Sequence, residues 1–503
     1  MKKYITLVQS YIIQKTIKPE LEKAKCLGLS HDGWTEGSEH YLALYATFMK
    51  PDVHKVDRVT LRLLSCSVQE DIDEHTHFDE DLEDDEKFFG FTAADLFDMV
   101  MLCLHDEYDL KLPDAEGNRT IALTADNLTE FVAFFAADNC NVNKALADRA
   151  GIPLSGCNSH RLHLGVEEFI GPVQKKTRAG VITQEESELR SIIYKVDRLM
   201  GELKTLKNSA MLRVKSMELT GKDLKPQRMN TTRWSSKFSL CKKEQALRPV
   251  IDAVRNWPQA ARLLIPTDYE REHLDACCEA LALFESVSKA LQCGGNERKN
   301  LAQCRILFDG LIDTFERYPD ARFRSRLNHI RPGATIVNNP HFENGLVKIQ
   351  EGREGSLSRF EKEAVKAFKK KNHVADADSD AEGEVLGYAD KLLLNKRKRE
   401  SAYESTNHVL AEANCCERTF SRARLYMSHL RAHMDPSSLE QLLFLFFNKE
   451  LWENPNIIDK AIAWEKDEKL KVAAAASAAA AAVAATAAAA VAAMAQGVDE
   501  NEN

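Results

Sequence analysis

Apolar residues fall in two different spacings along this chain, and the change from one to the other divides it. Residues 4–24 carry apolar positions at helical spacing, with Pro19 marking a kink or break. Three strand-length apolar runs follow, at 26–30, 41–49 and 59–68. Gly33 and the stretch Glu36-Gly37-Ser38 suit a hairpin connection between the first two. Helical spacing at 91–108 leads to a buried-strand candidate at 131–136, a helix at 142–150 and a short strand at 154–157. The order β-β-β-α-β-α-β predicts an α/β fold built on a mixed sheet.

From residue 160 to about 371 the pattern turns almost wholly helical. Residues 374–384, acidic and rich in small side chains, read as a linker. Helical spacing resumes at 420–433 and 439–452, and Asp435-Pro436 has the form of an N-cap followed by a first-turn proline. The segment 472–495 holds no charge and is mostly alanine. Because it lacks Leu, Ile and Phe, a low-complexity, partly helical tail is expected rather than a membrane span. No internal repeat is visible.

The formal charge of the 503 residues is −9, but it is unevenly spread. Residues 69–87 hold eleven Asp or Glu and a single Lys, too charged to pack, so a disordered insertion is expected there. Residues 190–243 hold fourteen Lys or Arg against four acids, a basic segment of the kind that attracts phosphates. The twelve cysteines form no C-x-x-C pair, which points to free thiols in a reducing compartment. The first residues are too interrupted by charge for a signal peptide. No G-x-x-x-x-G-K-S/T loop is present, so no nucleotide cofactor is expected.

Three carboxylates stand in suggestive places. Asp32 follows the first strand-like run, Asp138 follows the run FVAFFA, and Glu417 lies in a late helix. Two acids at strand ends and one on a helix make the oxygen-only ligand set that hard cations such as Mg²⁺ prefer. Two such ions about 3.5–4 Å apart stabilise both the attacking and the leaving oxygen of a phosphodiester. Any one of these acids taken alone also fits a solvated strand end or helix surface. Cys157-Asn158-Ser159-His160 offers only two zinc ligands, with no second pair nearby.

Several segments, in their order, carry a family resemblance: SHDGWTEGSEHYLALYATF, FFAADNCNVNKALADRAGIPLSGCNSHRLHLGV, NTTRWSSKF, LFDGLIDTF, PHFENGLVKIQEG with LSRFEKEAV, and CCERTFSRAR. From about Leu27 to Trp452 the chain resembles the hAT family of DNA transposases. That resemblance implies an RNase H-like core whose last catalytic helix is separated from the sheet by a large all-α insertion. It assigns residues 1–25 to an N-terminal helix, 26–165 to the first part of the core and 166–371 to the insertion. Residues 372–400 become a linker with a basic cluster, 401–455 the second part of the core with a dimerisation region, and 456–503 the tail.

By the same likeness Asp32, Asp138 and Glu417 are the catalytic, metal-binding triad for Mg²⁺ or Mn²⁺. His160 is a DNA-phosphate ligand with Cys157 buried beside it, although a satisfied core histidine fits as well. Trp234 stacks on a flipped base and Arg233 holds the adjacent phosphate; Trp234 equally fits as packing for the first helices of the insertion. Arg418 joins the DNA-binding set. Phe420, Leu442, Leu443 and Phe446 are expected at a dimer seam, though burial within one chain fits the same apolar pattern. The run Lys396-Arg397-Lys398-Arg399 fits a nuclear localisation signal or a phosphate-contacting cluster, and equally a solvated linker. The BED-type zinc finger common in this family has no counterpart ahead of the first strand, so no zinc finger is expected. The expected function is DNA strand cleavage and transfer by a homodimer or higher oligomer in the nucleus, with no membrane partner. The alternative is a domesticated, non-catalytic nuclear protein that dimerises and binds DNA.

Overall fold

The computed structural model describes residues 2–36, 39–50, 55–66, 92–172, 175–176, 182–230, 234–292, 298–370, 401–427 and 434–498. The acidic stretch at 69–87, the basic cluster at 396–399 and Arg233 lie outside the described residues.

Helix α1 (Lys2–Ile12) runs through a π-helical turn (Ile13–Ile17) into a last helical segment, Lys18–Lys23. Pro19 therefore stands just past the π-helical turn, in the first turn of that segment, and does not end the helix. Strands β1 (Leu27–Glu36), β2 (Glu39–Lys50) and β3 (Lys55–Cys66) form an antiparallel meander. Helix α2 (Ala93–Met101), strand β4 (Val132–Ala137), helix α3 (Asn141–Ala150), strand β5 (Leu154–Gly156) and helix α4 (Asn158–Ile170) complete this part. The five strands make one mixed sheet in the order β3-β2-β1-β4-β5, with β1–β4 and β4–β5 parallel. The protein is thus mixed α/β, mostly helical, with a small mixed sheet.

The alternation of side chains along the strands gives the sheet two apolar faces. Leu27, Leu29, Leu42 and Leu44 meet Ile12, Val100 and Leu146 on one side. Trp34, Tyr41, Ala43 and Tyr45 meet Cys416, Phe420 and Leu443 on the other. Further along that second face, Phe134 packs against Phe342 and Phe368. A Cβ at Gly28 would lie 2.0 Å from the Phe134 ring, so only glycine lets β1 and β4 approach there.

The long helical stretch divides between two cores. Helices α5 (Glu188–Leu203), α6 (Leu206–Thr220), α7 (Trp234–Ala253), α8 (Asp268–Gln292) and α9 (Leu301–Glu316) close around Phe169, Phe284 and Phe315. The Phe284 and Phe315 rings stack at 4.5 Å. Helix α10 (Pro340–Gln350) and the residues up to Phe368 instead cover the sheet, so the expected insertion through residue 371 is shorter as a packed unit. Helical spacing reports that one face is apolar but not which core receives it.

Helices α11 (Asn414–Tyr426) and α12 (Pro436–Phe447) return to the sheet. Asp435 caps α12 by accepting the Ser438 N–H at 2.9 Å, with Pro436 in the first turn, as its sequence predicts. Helix α13 (Ile457–Val498) runs for 42 residues, about 63 Å at 1.5 Å per residue. Its residues 471–487 stand exposed, and residues Ile457–Ala487 are long and apolar enough to cross a membrane by length and composition alone.

Candidate active site

Asp32 lies within β1 rather than after it. The strand continues to Glu36 because β2 goes on pairing with it; Asp32 stands opposite Ala43. The parallel ladder to β4 stops earlier, at Ser30 opposite Ala136. Asp32 is therefore two residues past the point where the sheet opens, and β4 delivers Asp138 just beyond its own last residue, Ala137. The Asp32 carboxylate accepts the Gly33 N–H at 2.9 Å. Burial pushes its pKa up to about 8; the negative charges of Asp138 and then Glu417 push the same way, against the Gly33 bond.

Asp138 is held from α3. Its Oδ1 accepts the Asn143 amide N–H at 2.6 Å and the Cys140 backbone N–H at 3.3 Å. Asn143 Oδ1 in turn lies 3.1 Å from His31 Nε2. His31 is buried, with its ring edge-on to Phe135, and burial drives its pKa down to about 4, so the imidazole is neutral. At the end of β5, a Cβ on Gly156 would stand 2.1 Å from Asn139 Oδ1, so glycine lets the Asp138–Asn139 corner sit against β5.

Glu417 reaches this place because the residues beside it on α11 pack onto the sheet. Phe420 stacks on Trp34 with centroids 5.6 Å apart, Thr419 and Tyr45 share a buried hydroxyl–hydroxyl hydrogen bond, and the Cys416 thiol bonds the Ala43 carbonyl. The segment before α11 is threaded past α4: Asn158 N–H donates to Ala411 O at 3.0 Å, and Asn414 donates to Ser159 Oγ at 3.1 Å.

Asp32, Asp138 and Glu417 line one cavity of about 540 Å³. His160 and His163 from α4, Trp234 and Ser239 from α7, and Lys289 from α8 line its other walls. His163 follows His160 by three residues on one helix and so shares its face, a relation already visible in the spacing. Lys289 had no such signal, because its helix folds back from far along the chain. Cys157 is buried, and burial lifts its thiol to about 12.

The other expected site residues are used, wholly or in part, elsewhere. Trp234 is only 6% exposed and packs edge-on to Phe284, so most of its indole belongs to the helical core. Arg418 is outside the cavity lining; it faces Glu412 at 4.0 Å and donates to the Gln292 carbonyl. Phe420 and Leu443 are buried within the chain's own core, Leu442 is half-buried and Phe446 is 37% exposed. The basic segment is partly neutralised: Arg190 and Lys237 both bind Glu167, Lys195 binds Glu270 at 2.7 Å, and Arg228 binds Asp197 at 2.5 Å.

The chemistry of the triad fits a hard divalent cation. All its donors are carboxylate oxygens, and the charges of Asp138 and Glu417 raise the proton affinity of Asp32 at a place where, among the described residues, no Lys or Arg forms an ion pair with Asp32 or Asp138. Their spacing is looser than that of a closed ligand set: among the described residues no three His, Cys, Asp or Glu side chains stand close enough together to hold an ion as placed. No protein-family model and no curated protein matches the chain.

Proposed function

We propose that this chain is a metal-dependent DNA-cleaving protein of the hAT transposase type, with Asp32, Asp138 and Glu417 as its catalytic carboxylates. One observation carries the reading: acids from β1, from the end of β4 and from a helix near the other end of the sequence face one cavity, where the charges of the latter two raise the proton affinity of Asp32. The strand order β3-β2-β1-β4-β5, with β2 antiparallel to its neighbours and β1, β4 and β5 parallel, supports an RNase H-like core.

Two Mg²⁺ or Mn²⁺ ions, when bound, would supply charge stabilisation for the attacking and leaving oxygens of a phosphodiester. Asp32, Asp138 and Glu417 would hold them, and Asp32 must first give up the proton that its surroundings favour. His160, His163 and Lys289, on the cavity walls, would bind the phosphate backbone. The protein's partners in this reading are DNA and a second copy of itself, in the nucleus.

The test is nicking of supercoiled plasmid DNA in Mn²⁺ or Mg²⁺. Wild-type protein should nick, and Asp138→Ala should not while keeping its circular dichroism spectrum. A folded wild-type chain that leaves the plasmid intact in both metals refutes the reading. The looser spacing of the acids favours a second one, a non-catalytic DNA-binding and dimerising descendant of such an enzyme, which that negative result would support.

A further inference from the structure

We infer that Asn143 and His31 act together as positioning residues for Asp138, fixing the rotation of its carboxylate through a two-bond relay that starts in the buried core. The inference rests on the proposed role of Asp138 and extends it to the two residues hydrogen-bonded in series behind that carboxylate.

The direction of each bond follows from its atoms. An ionised carboxylate only accepts hydrogen bonds, so the Asn143 group 2.6 Å from Asp138 Oδ1 must be the amide NH₂. That orientation turns Asn143 Oδ1 towards His31, and Oδ1 only accepts. His31 must therefore donate from Nε2 across the 3.1 Å contact. The tautomer is set as well: His31 Nδ1 is buried with no hydrogen-bond partner, which suits a ring nitrogen without a proton better than one with it. Each member thus forces the polarity of the next.

The anchor of the relay is rigid. His31 is 1% exposed and sits in β1 with its ring against Phe135 of β4. Asn143 is 6% exposed and belongs to the first turn of α3. The Cys140 N–H reaches the same oxygen, Oδ1, so two donors from one side hold the carboxylate's rotation. Partners of this kind, behind a metal-binding carboxylate, typically alter metal affinity about 10–100-fold when lost.

The test reads metal binding rather than turnover. Mn²⁺ is titrated into the full chain and the free ion followed by electron paramagnetic resonance, with thermal melts as a check on folding. Wild type should bind Mn²⁺, Asn143→Ala should bind at least about tenfold more weakly, and His31→Leu should also be weakened. His31→Gln, which restores an N–H near the position of Nε2, should bind close to wild type; a merely space-filling role would not distinguish Gln from Leu. Equal binding by wild type and Asn143→Ala overturns the relay, as does equal weakening by His31→Gln and His31→Leu. If Asn143→Ala does not fold, the two His31 variants decide alone. A folded wild type that binds no Mn²⁺ overturns the metal reading itself, and the relay with it, which separates the two failures.

Discussion

The indole of Trp34 lies against the ring of Phe420, centroids 5.6 Å apart and planes 29° apart. Trp34 is two residues beyond Asp32 on the same strand face, and Phe420 is three residues beyond Glu417 on α11. This stack therefore ties the two ends of the triad together. Removing a buried phenylalanine costs about 3–5 kcal/mol. Phe420→Ala should lower the unfolding free energy by an amount in that range, and hydrogen exchange should show α11 losing protection ahead of the rest of the sheet. Equal protection of α11 and β1 in the variant would show that the helix is held by something else.

Asp32 makes the metal-free protein sensitive to pH in a direction opposite to most surface acids. Its pKa is about 8 in the fold against an ordinary 3.8, so the folded state binds the proton more tightly than the unfolded one. The stability it contributes is complete below about pH 4 and is lost as pH rises towards 8. Asp32→Asn removes that loss. The variant should match wild type near pH 4 and exceed it at pH 8 by at least the ~1.4 kcal/mol of one pKa unit, in melts run with chelator. A variant less stable than wild type at pH 8 would mean that the carboxylate is not desolvated.

Much of this architecture was legible in the sequence where side chains alternate or recur plainly. The runs that became β2, β4 and β5, the helix α3 and the Asp435 cap all declared themselves. The true length of β1 did not, because Ser30, His31 and Asp32 put polar groups where a buried strand normally shows apolar ones. His31 and Asp32 face the cavity that Asp138 and Glu417 line, so the apolar pattern breaks where the strand turns polar groups into it. The net charge of the basic segment is less legible for another reason. Its counter-charges, Glu167 and Glu270, come from outside the segment, and only the fold brings them within reach of Arg190, Lys237 and Lys195. Asn143 was hidden by its ordinariness, since nothing in an asparagine near a helix start says which carboxylate it will face.

Arg161 and Glu343 form a buried ion pair, 3.1 Å apart, that fastens α4 to α10 beside the end of β5. Arg161 also donates to Asn158 Oδ1 and to the carbonyls of His329 and Arg331, while Glu343 accepts the Gly156 N–H. Burial raises the Glu343 pKa, and Arg161 opposes that rise. Arg161→Met should cost about 3–5 kcal/mol at neutral pH, because it strands a buried charge. The loss should shrink in acid as Glu343 takes a proton. Adding Glu343→Leu to it should recover much of the stability in urea titrations; no recovery would place the cost in the severed carbonyl bonds.

Of the four residues expected at a dimer seam, Phe446 is the one left exposed, at 37%, with the Arg422 guanidinium 4.3 Å above its ring. Phe420 and Leu443 are already used within the chain, so substituting them tests folding, not association. Leu443→Ala should cost about 2–5 kcal/mol. Phe446→Glu should leave the melting temperature nearly unchanged, since exposed positions usually shift stability by about 0.5 kcal/mol or less. If α12 forms the seam, Phe446→Glu should nonetheless convert the sedimenting species from dimer to monomer, because a carboxylate would then be buried without a partner. Association that persists unchanged in Phe446→Glu removes α12 from the interface and leaves its apolar residues with a purely internal role.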